Sequence, residues 1–294
     1  LTRTLDESST GSLLNLSGSA VVFVTAAAED IPAVQELYAE NPSSPTAPSA
    51  TGTNAVAIGS QSEAAGSESF AAGFNATATA YRALALGHGA NAGNTSVALG
   101  TSANASGAEG NALGRGATAS GGESAAFGHS SVSIGTRSTA LTRSYASGTD
   151  SFAAAIGNNT STYGATAAES VAIGKQAKAT NTGSLAFGHT TTSTGQYALA
   201  LGYQSTAAGT QSVAIGRANQ TSGNFALALG YNSTAAGTQS VAIGDSNTAS
   251  HANAITIGDS VQSTATNQVN LGGTADTVRI SESYTLPTAD GTAN

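Results

Sequence analysis

Large apolar residues recur in this chain as short alternating triplets, each closed by a glycine. Leu185-Ala186-Phe187-Gly188, Leu199-Ala200-Leu201-Gly202, Val213-Ala214-Ile215-Gly216, Leu227-Ala228-Leu229-Gly230, Val241-Ala242-Ile243-Gly244 and Ile255-Thr256-Ile257-Gly258 follow one another with the glycines 14 residues apart. The glycines from Gly188 to Gly230 are each followed seven residues later by another: Gly195, Gly209, Gly223 and Gly237. The outer residues of a triplet share parity, while the central alanine and the glycine take the opposite side, which is the alternation of a short half-buried strand. This reading puts Val56, Ile58, Val97, Leu99, Val171, Ile173, Val213, Ile215, Val241 and Ile243 in the core. It puts Gly59, Gly174, Gly188, Gly202, Gly216, Gly230, Gly244 and Gly258 in turns. The second half of a repeat, as in Ser205-Thr206-Ala207-Ala208-Gly209, again places small residues at alternate positions. Two strands and two glycine turns per repeat predict a flattened β-coil with parallel strands about 4.8 Å apart. Gly59 to Gly272 then makes roughly 15 turns and a rod about 70 Å long.

In chain order, residues 1–40 read differently. Ala20-Val21-Val22-Phe23-Val24-Thr25 predicts a strand, and Asp30 caps a short helix with Ile31, Val34, Leu37 and Tyr38 on one face. Forty residues are too few for a robust core, so this is expected to be a small α+β docking unit that leans on a neighbour. Residues 41–53, with Pro42, Pro45 and Pro48, read as a linker. The array fills 54–272, and residues 273–294 form a connector towards a further segment. Its anchor glycines run regularly to Gly128, blur up to Gly157, where Ser131-Val132-Ser133-Ile134-Gly135 looks like an out-of-phase copy, and resume at Gly174 after an insertion near 158–164.

Composition narrows the function classes. The chain has no Cys, which removes disulfide and thiolate-metal chemistry, and its net charge of −8 disfavours nucleic acid and anionic membrane as partners. No apolar run approaches the roughly 20 residues of a membrane helix. The chain has no Met and begins at Leu1, so it is expected to be a processed or partial piece. A coil this thin orders many backbones for little apolar burial, and its small-residue faces suit close packing of another coil. Self-association is therefore expected.

The motif S-V-A-I-G-x-x-A/S-x-A-x-G, at Ser212 to Gly223, Ser170 to Gly174, Ser240 to Gly244 and Ser96 to Gly107, resembles the YadA-like head repeats of trimeric autotransporter adhesins. The resemblance covers about residues 54–272. It implies an all-β, left-handed parallel β-roll, three chains packed as a homotrimer, and a non-enzymatic role in adhesion. The ends show no heptad stalk, neck motif or membrane-anchor strands. Residues 268–280 and 284–291 resemble repeat-rich fibre proteins of tailed bacteriophages instead. That second resemblance implies a virion tail or neck fibre attached to other virion proteins through the N-terminal unit, with the head of a bacterial surface adhesin as the alternative.

The chemistry-bearing residues fit packing better than catalysis. His88, His129 and His189 each follow an anchor glycine, but neighbours are three or more turns apart, roughly 14 Å, too far for one metal ion within a chain. No cofactor and no catalytic residue is expected. The position after the glycine varies from turn to turn, which marks a solvent-facing row. His88, Arg115, His129, Lys175, His189, Tyr203, Arg217 and Tyr231 stand on that row, and its Tyr, His and Arg are types enriched at binding hot spots. The expected target is a cell-surface glycan or protein. A distant alternative is an ice-binding β-solenoid with a row formed by Thr206, Thr234 and Thr248, interrupted at Ala64 and Lys178.

Overall fold

Because identical patterns recur every 14 residues, each repeat can hydrogen-bond only to the repeat before it and the one after, in parallel and in register. The computed structural model describes residues 46–155, 157 and 162–273, and they form a β-solenoid of two parallel sheets. The narrow sheet has 15 strands of two residues, such as Thr206–Ala207; the wide sheet has 16 strands of three to five, such as Val213–Arg217. Neighbours in each sheet are one turn apart in sequence, as in Ala200↔Ala214↔Ala228. No helix occurs among the described residues. The expected docking unit at 1–40, the start of the linker and all but the first residue of the connector 273–294 fall outside the described residues. Within the segment read as linker, Ser49–Ala50 already pairs with Glu63–Ala64 as the first strand of the narrow sheet.

The interior corrects the parity assignment. Ala214 and Ala207 are fully buried, whereas none of Val56, Ile58, Val97, Leu99, Val171, Ile173, Val213, Ile215, Val241 and Ile243 is buried in the chain, and Val56 and Leu99 are 44% and 41% exposed. Every buried apolar residue among those described is alanine, apart from Val261. The reason is volume. Two sheets joined by short connections, 204–205 and 208–212 in one turn, stand too close to admit more than a methyl or hydroxymethyl from each. One full turn therefore buries Ser205, Ala207, Gly209, Ser212 and Ala214 and turns Thr206, Val213 and Ile215 outward.

The glycine assignment needs a correction: Gly59 and Gly174 follow their strands, but Gly188, Gly202, Gly216, Gly230, Gly244 and Gly258 lie within five-residue wide-sheet strands, and close stacking of backbones is what requires glycine there. Gly216 has φ 123°, and a side chain on Gly202 would strike the Gly216 carbonyl one turn on. Gly209 meets the Gly223 carbonyl in the same way at the opposite corner. Where glycine follows glycine the corners stack backbone on backbone, which a side chain on the lower residue would block; Ala80, Ala167 and His251 take the upper place at some corners.

Most polar groups inside are satisfied by neighbouring turns; among the described residues the buried hydroxyls of Ser69, Ser151 and Ser240 are the exceptions. Ser62, Ser124 and Ser138 donate to the carbonyls of Gly59, Gly121 and Gly135 at 2.7 Å. The largest fully buried side chains are Asn219 and Asn247. Asn219 Nδ2 donates to the carbonyls of Ile215 (2.6 Å) and Gly230 (2.7 Å), while its Oδ1 accepts from Ser233 N at 2.8 Å. Asn247 repeats this two turns later on Ile243, Gly258 and Val261. Each stitches its own turn to the next.

The blurred stretch keeps its stacking. Val132–Ser133 is a narrow-sheet strand in register with Thr118–Ala119, so Ser131 to Gly135 is no displaced copy of the wide-sheet motif. Register places Thr142 and then Ala155, not Gly157, at the anchor position, because Leu141 and Ala154 end the corresponding strands. The added residues lie between Ala154 and Gly164, the start of the next narrow-sheet strand.

Ala214→Leu should overfill the space between the sheets and destabilise by on the order of 3 kcal/mol. Val213→Ala, at an outward position, should leave the coil itself folded. Denaturant unfolding and far-ultraviolet circular dichroism at one protein concentration compare them; a larger loss of coil for Val213→Ala would contradict this assignment of inside and outside.

Candidate functional site

Turning the large residues outward gives the wide sheet an apolar outer face. Leu86, Leu99, Phe127, Leu201, Leu229 and Ile257 are 38–41% exposed, and they recur along the length of the rod. Single exposed leucines mean little, but a contiguous apolar strip marks an interaction surface.

The row after the anchor glycine borders this strip. In the later turns the wide-sheet strands run through the glycine, so row residues pair in register: His189↔Tyr203↔Arg217↔Tyr231↔Asp245↔Asp259. Strand spacing then stacks their side chains. The His189 and Tyr203 rings lie 5.2 Å apart and 12° from parallel. The Arg217 guanidinium sits 5.7 Å from the Tyr203 ring centre and 5.3 Å from that of Tyr231. Four of the expected residues thus form one continuous cation–π stack. His88 stacks instead on Phe74, at 5.3 Å and 15°. Arg115, His129 and Lys175 are exposed as expected but stand outside the stack. Asp245 and Asp259 continue the row, each accepting a hydrogen bond from the next serine, Ser246 or Ser260, at 2.7 Å.

A second row, missed in the sequence, borders the strip's other edge. It lies in the turn two residues before each wide-sheet strand and holds left-handed backbone at non-glycine residues, including Tyr197 (φ 54°) and Phe225 (φ 58°). These two are 52% and 55% exposed. The signal for this row was the aromatic six residues before Tyr203 and Tyr231. Along this edge Arg82 donates to Glu68 at 2.7 Å, and Arg137 donates twice to Asp150, at 2.6 and 2.9 Å. The Arg137 hydrogen bonds hold the exposed Asp150 carboxyl below the usual carboxylate range.

Among the described residues no group of three or more His, Asp or Glu is placed to hold a metal ion, and no helix is long and apolar enough to cross a membrane. The threonine row is mixed, with Gln220 in register between Thr206 and Thr234. Glu63, not Ala64, occupies its phase, because Ala64 points inward.

None of the curated proteins matches the chain. The YadA head domain repeat matches it nine times, over residues 50–76, 64–90, 92–117, 112–138, 165–190, 193–219, 208–233, 222–247 and 235–260. These matches cover more than half of the chain and coincide with the stacked turns. With its glycine corners, alanine interior and outward apolar strip, the chain belongs to the YadA head domain repeat family and is a fibre or adhesin module of that head type.

Proposed function

We propose that the chain works as a homotrimeric, non-enzymatic fibre segment that holds a cell-surface glycan or protein through repeated weak contacts. The observation that carries this reading is the outward strip. The interior uses up only small residues, so the large apolar side chains of turn after turn remain uncovered in one chain. Three copies facing a common axis cover all three strips at once, and the family supplies the number three.

The row after the glycine supplies the contacts. Stacking of His189, Tyr203, Arg217 and Tyr231 fixes their rings before any target arrives, which lowers the ordering cost of binding. Repetition along the rod and among three chains turns weak single contacts into avidity. The setting we propose is a virion tail or neck fibre. Support for it comes from the sequence of residues 268–291 alone, which resembles phage fibre proteins; the bacterial outer surface is the other setting the family allows.

Light scattering on the purified chain should give three times the 28.4 kDa chain mass, and Ile215→Asp with Ile243→Asp should give monomers by placing charge in the strip. A monodisperse monomer of the unmodified chain would remove this reading.

Replacing Tyr203, Arg217 and Tyr231 with Ser should leave the chains trimeric while reducing attachment to target cells severalfold. Undiminished attachment would move the contact to another surface.

Mass spectrometry of purified phage particles from the source of the sequence should recover peptides of this chain. Recovery only from cell envelopes would assign it to the bacterial surface.

A further inference from the structure

In some turns the two edges of the outer strip carry residues that match each other across it; in others, such as Arg82 opposite His88 and Arg137 opposite Arg143, they do not. Six residues before Arg115 stands Glu109, six before Lys175 stands Glu169, and six before Tyr231 stands Phe225. Acid faces base in two of these turns, ring faces ring in the third, and Tyr197 with Tyr203 repeats the ring pair.

Within one chain these partners do not meet. They stand at opposite ends of a strand such as Asn111–Leu113, separated by up to about 20 Å of extended backbone. The two ion pairs among the described residues run along the rod instead, Arg82 to Glu68 and Arg137 to Asp150. Glu109 has no such help from its neighbour along the rod. The register of Asn111 with Ala125 sets it beside Glu123, a like charge. Glu68, which has its arginine along the rod, faces Phe74 across the strip and not a base. Glu109 and Glu169, which make no ion pair along the rod among the described residues, are the two acids that face Arg115 and Lys175 across the strip.

Rotational symmetry brings the edges together. When three copies turn the same strip to one axis, the leading edge of each abuts the trailing edge of the next at equal height, a head-to-tail contact that closes on itself. We propose that the two edges clasp between protomers, Glu109 against Arg115 of the partner subunit, Glu169 against Lys175 of the partner subunit, and Phe225 against Tyr231 of the partner subunit. The seam between two chains, built from both rows, is then the surface that a target meets. This rests on the trimeric reading above.

The chain contains no cysteine, so an engineered pair reports the seam directly. In the full chain carrying Glu109→Cys and Arg115→Cys, mild oxidation should link each protomer to both neighbours. A non-reducing denaturing gel should show a species of three times 28.4 kDa that reduction abolishes. A bridge within one chain is excluded, because a disulfide needs Cα atoms within about 7 Å. Either cysteine alone should give no closed trimer. As a second measurement, Glu169→Lys should lower the trimer's melting temperature, and adding Lys175→Glu should restore it. A trimer by light scattering that yields only single chains on the gel, with no rescue in the charge swap, overturns the clasp and leaves the trimer standing. Light scattering at the monomer mass overturns both.

Discussion

The narrowness of the interior governs this structure. Two parallel sheets joined by corners of a few residues leave room for a methyl or a hydroxyl from each inward position. The buried set among the described residues is accordingly Ala, Ser and Gly, with Asn219, Asn247, a few threonines and, near the end of the array, Val261 as the larger members. Everything bulky must stand outside. In an ordinary domain hydrophobicity decides which residues go in; here size decides it, and the hydrophobic residues are the ones left out. A core of methyl groups contributes little transfer free energy per turn. Cohesion therefore rests on the backbone ladders, the buried serine and asparagine hydrogen bonds, and whatever covers the outer strip.

That rule explains what the sequence disclosed and what it hid. The repeat length, the parallel stacking and the turn glycines were legible because period and glycine spacing are backbone properties. Gly202 and Gly216 are glycine because their backbones touch across the turn, and such a contact leaves a mark every 14 residues. Parity was legible too, but its sign was not. Val213 and Ile215 share a face in either reading, and only the separation of the sheets says that the face is the outer one. The usual expectation that Val and Ile point inward gave the wrong sign. The row after the glycine was found through its variability, whereas the row through Tyr197 and Phe225 was not. Its residues vary just as much, yet its left-handed backbone is carried by non-glycine residues and so left no glycine to count from.

The irregular middle shows how little each turn asks of the others. Repeat folds bind only nearest neighbours, so a 13-residue step from Thr139 to Phe152 or the added residues between Ala154 and Gly164 are absorbed locally. Beyond them, Val171–Ile173 resumes the wide sheet in register with Phe152–Ala154. The later turns, where the wide-sheet strands lengthen to five residues from Leu185–His189 onward, are also those where the row forms a continuous stack. Regularity and the presented surface arise together: strands that run through the glycine bring row residues into register.

In the binding role proposed for the row, the stack also restricts what it can recognise. The rings of His189 and Tyr203 spend one face on each other, and Arg217 lies between the two tyrosine rings. Faces occupied in this way are closed to a sugar ring or an apolar side chain that would bind by stacking. What the row offers outward is edges: the tyrosine hydroxyls, imidazole nitrogen and the rim of a guanidinium, about 4.8 Å apart along the rod. Such a ladder of hydrogen-bond donors and acceptors suits an extended polar target, whether a glycan's hydroxyls or a peptide backbone. The sign of charge changes along it, from Lys175 through Arg217 to Asp245 and Asp259. A target lying parallel to the rod therefore meets a cationic end and an anionic end, and this polarity gives the contact a direction that a uniform row would lack.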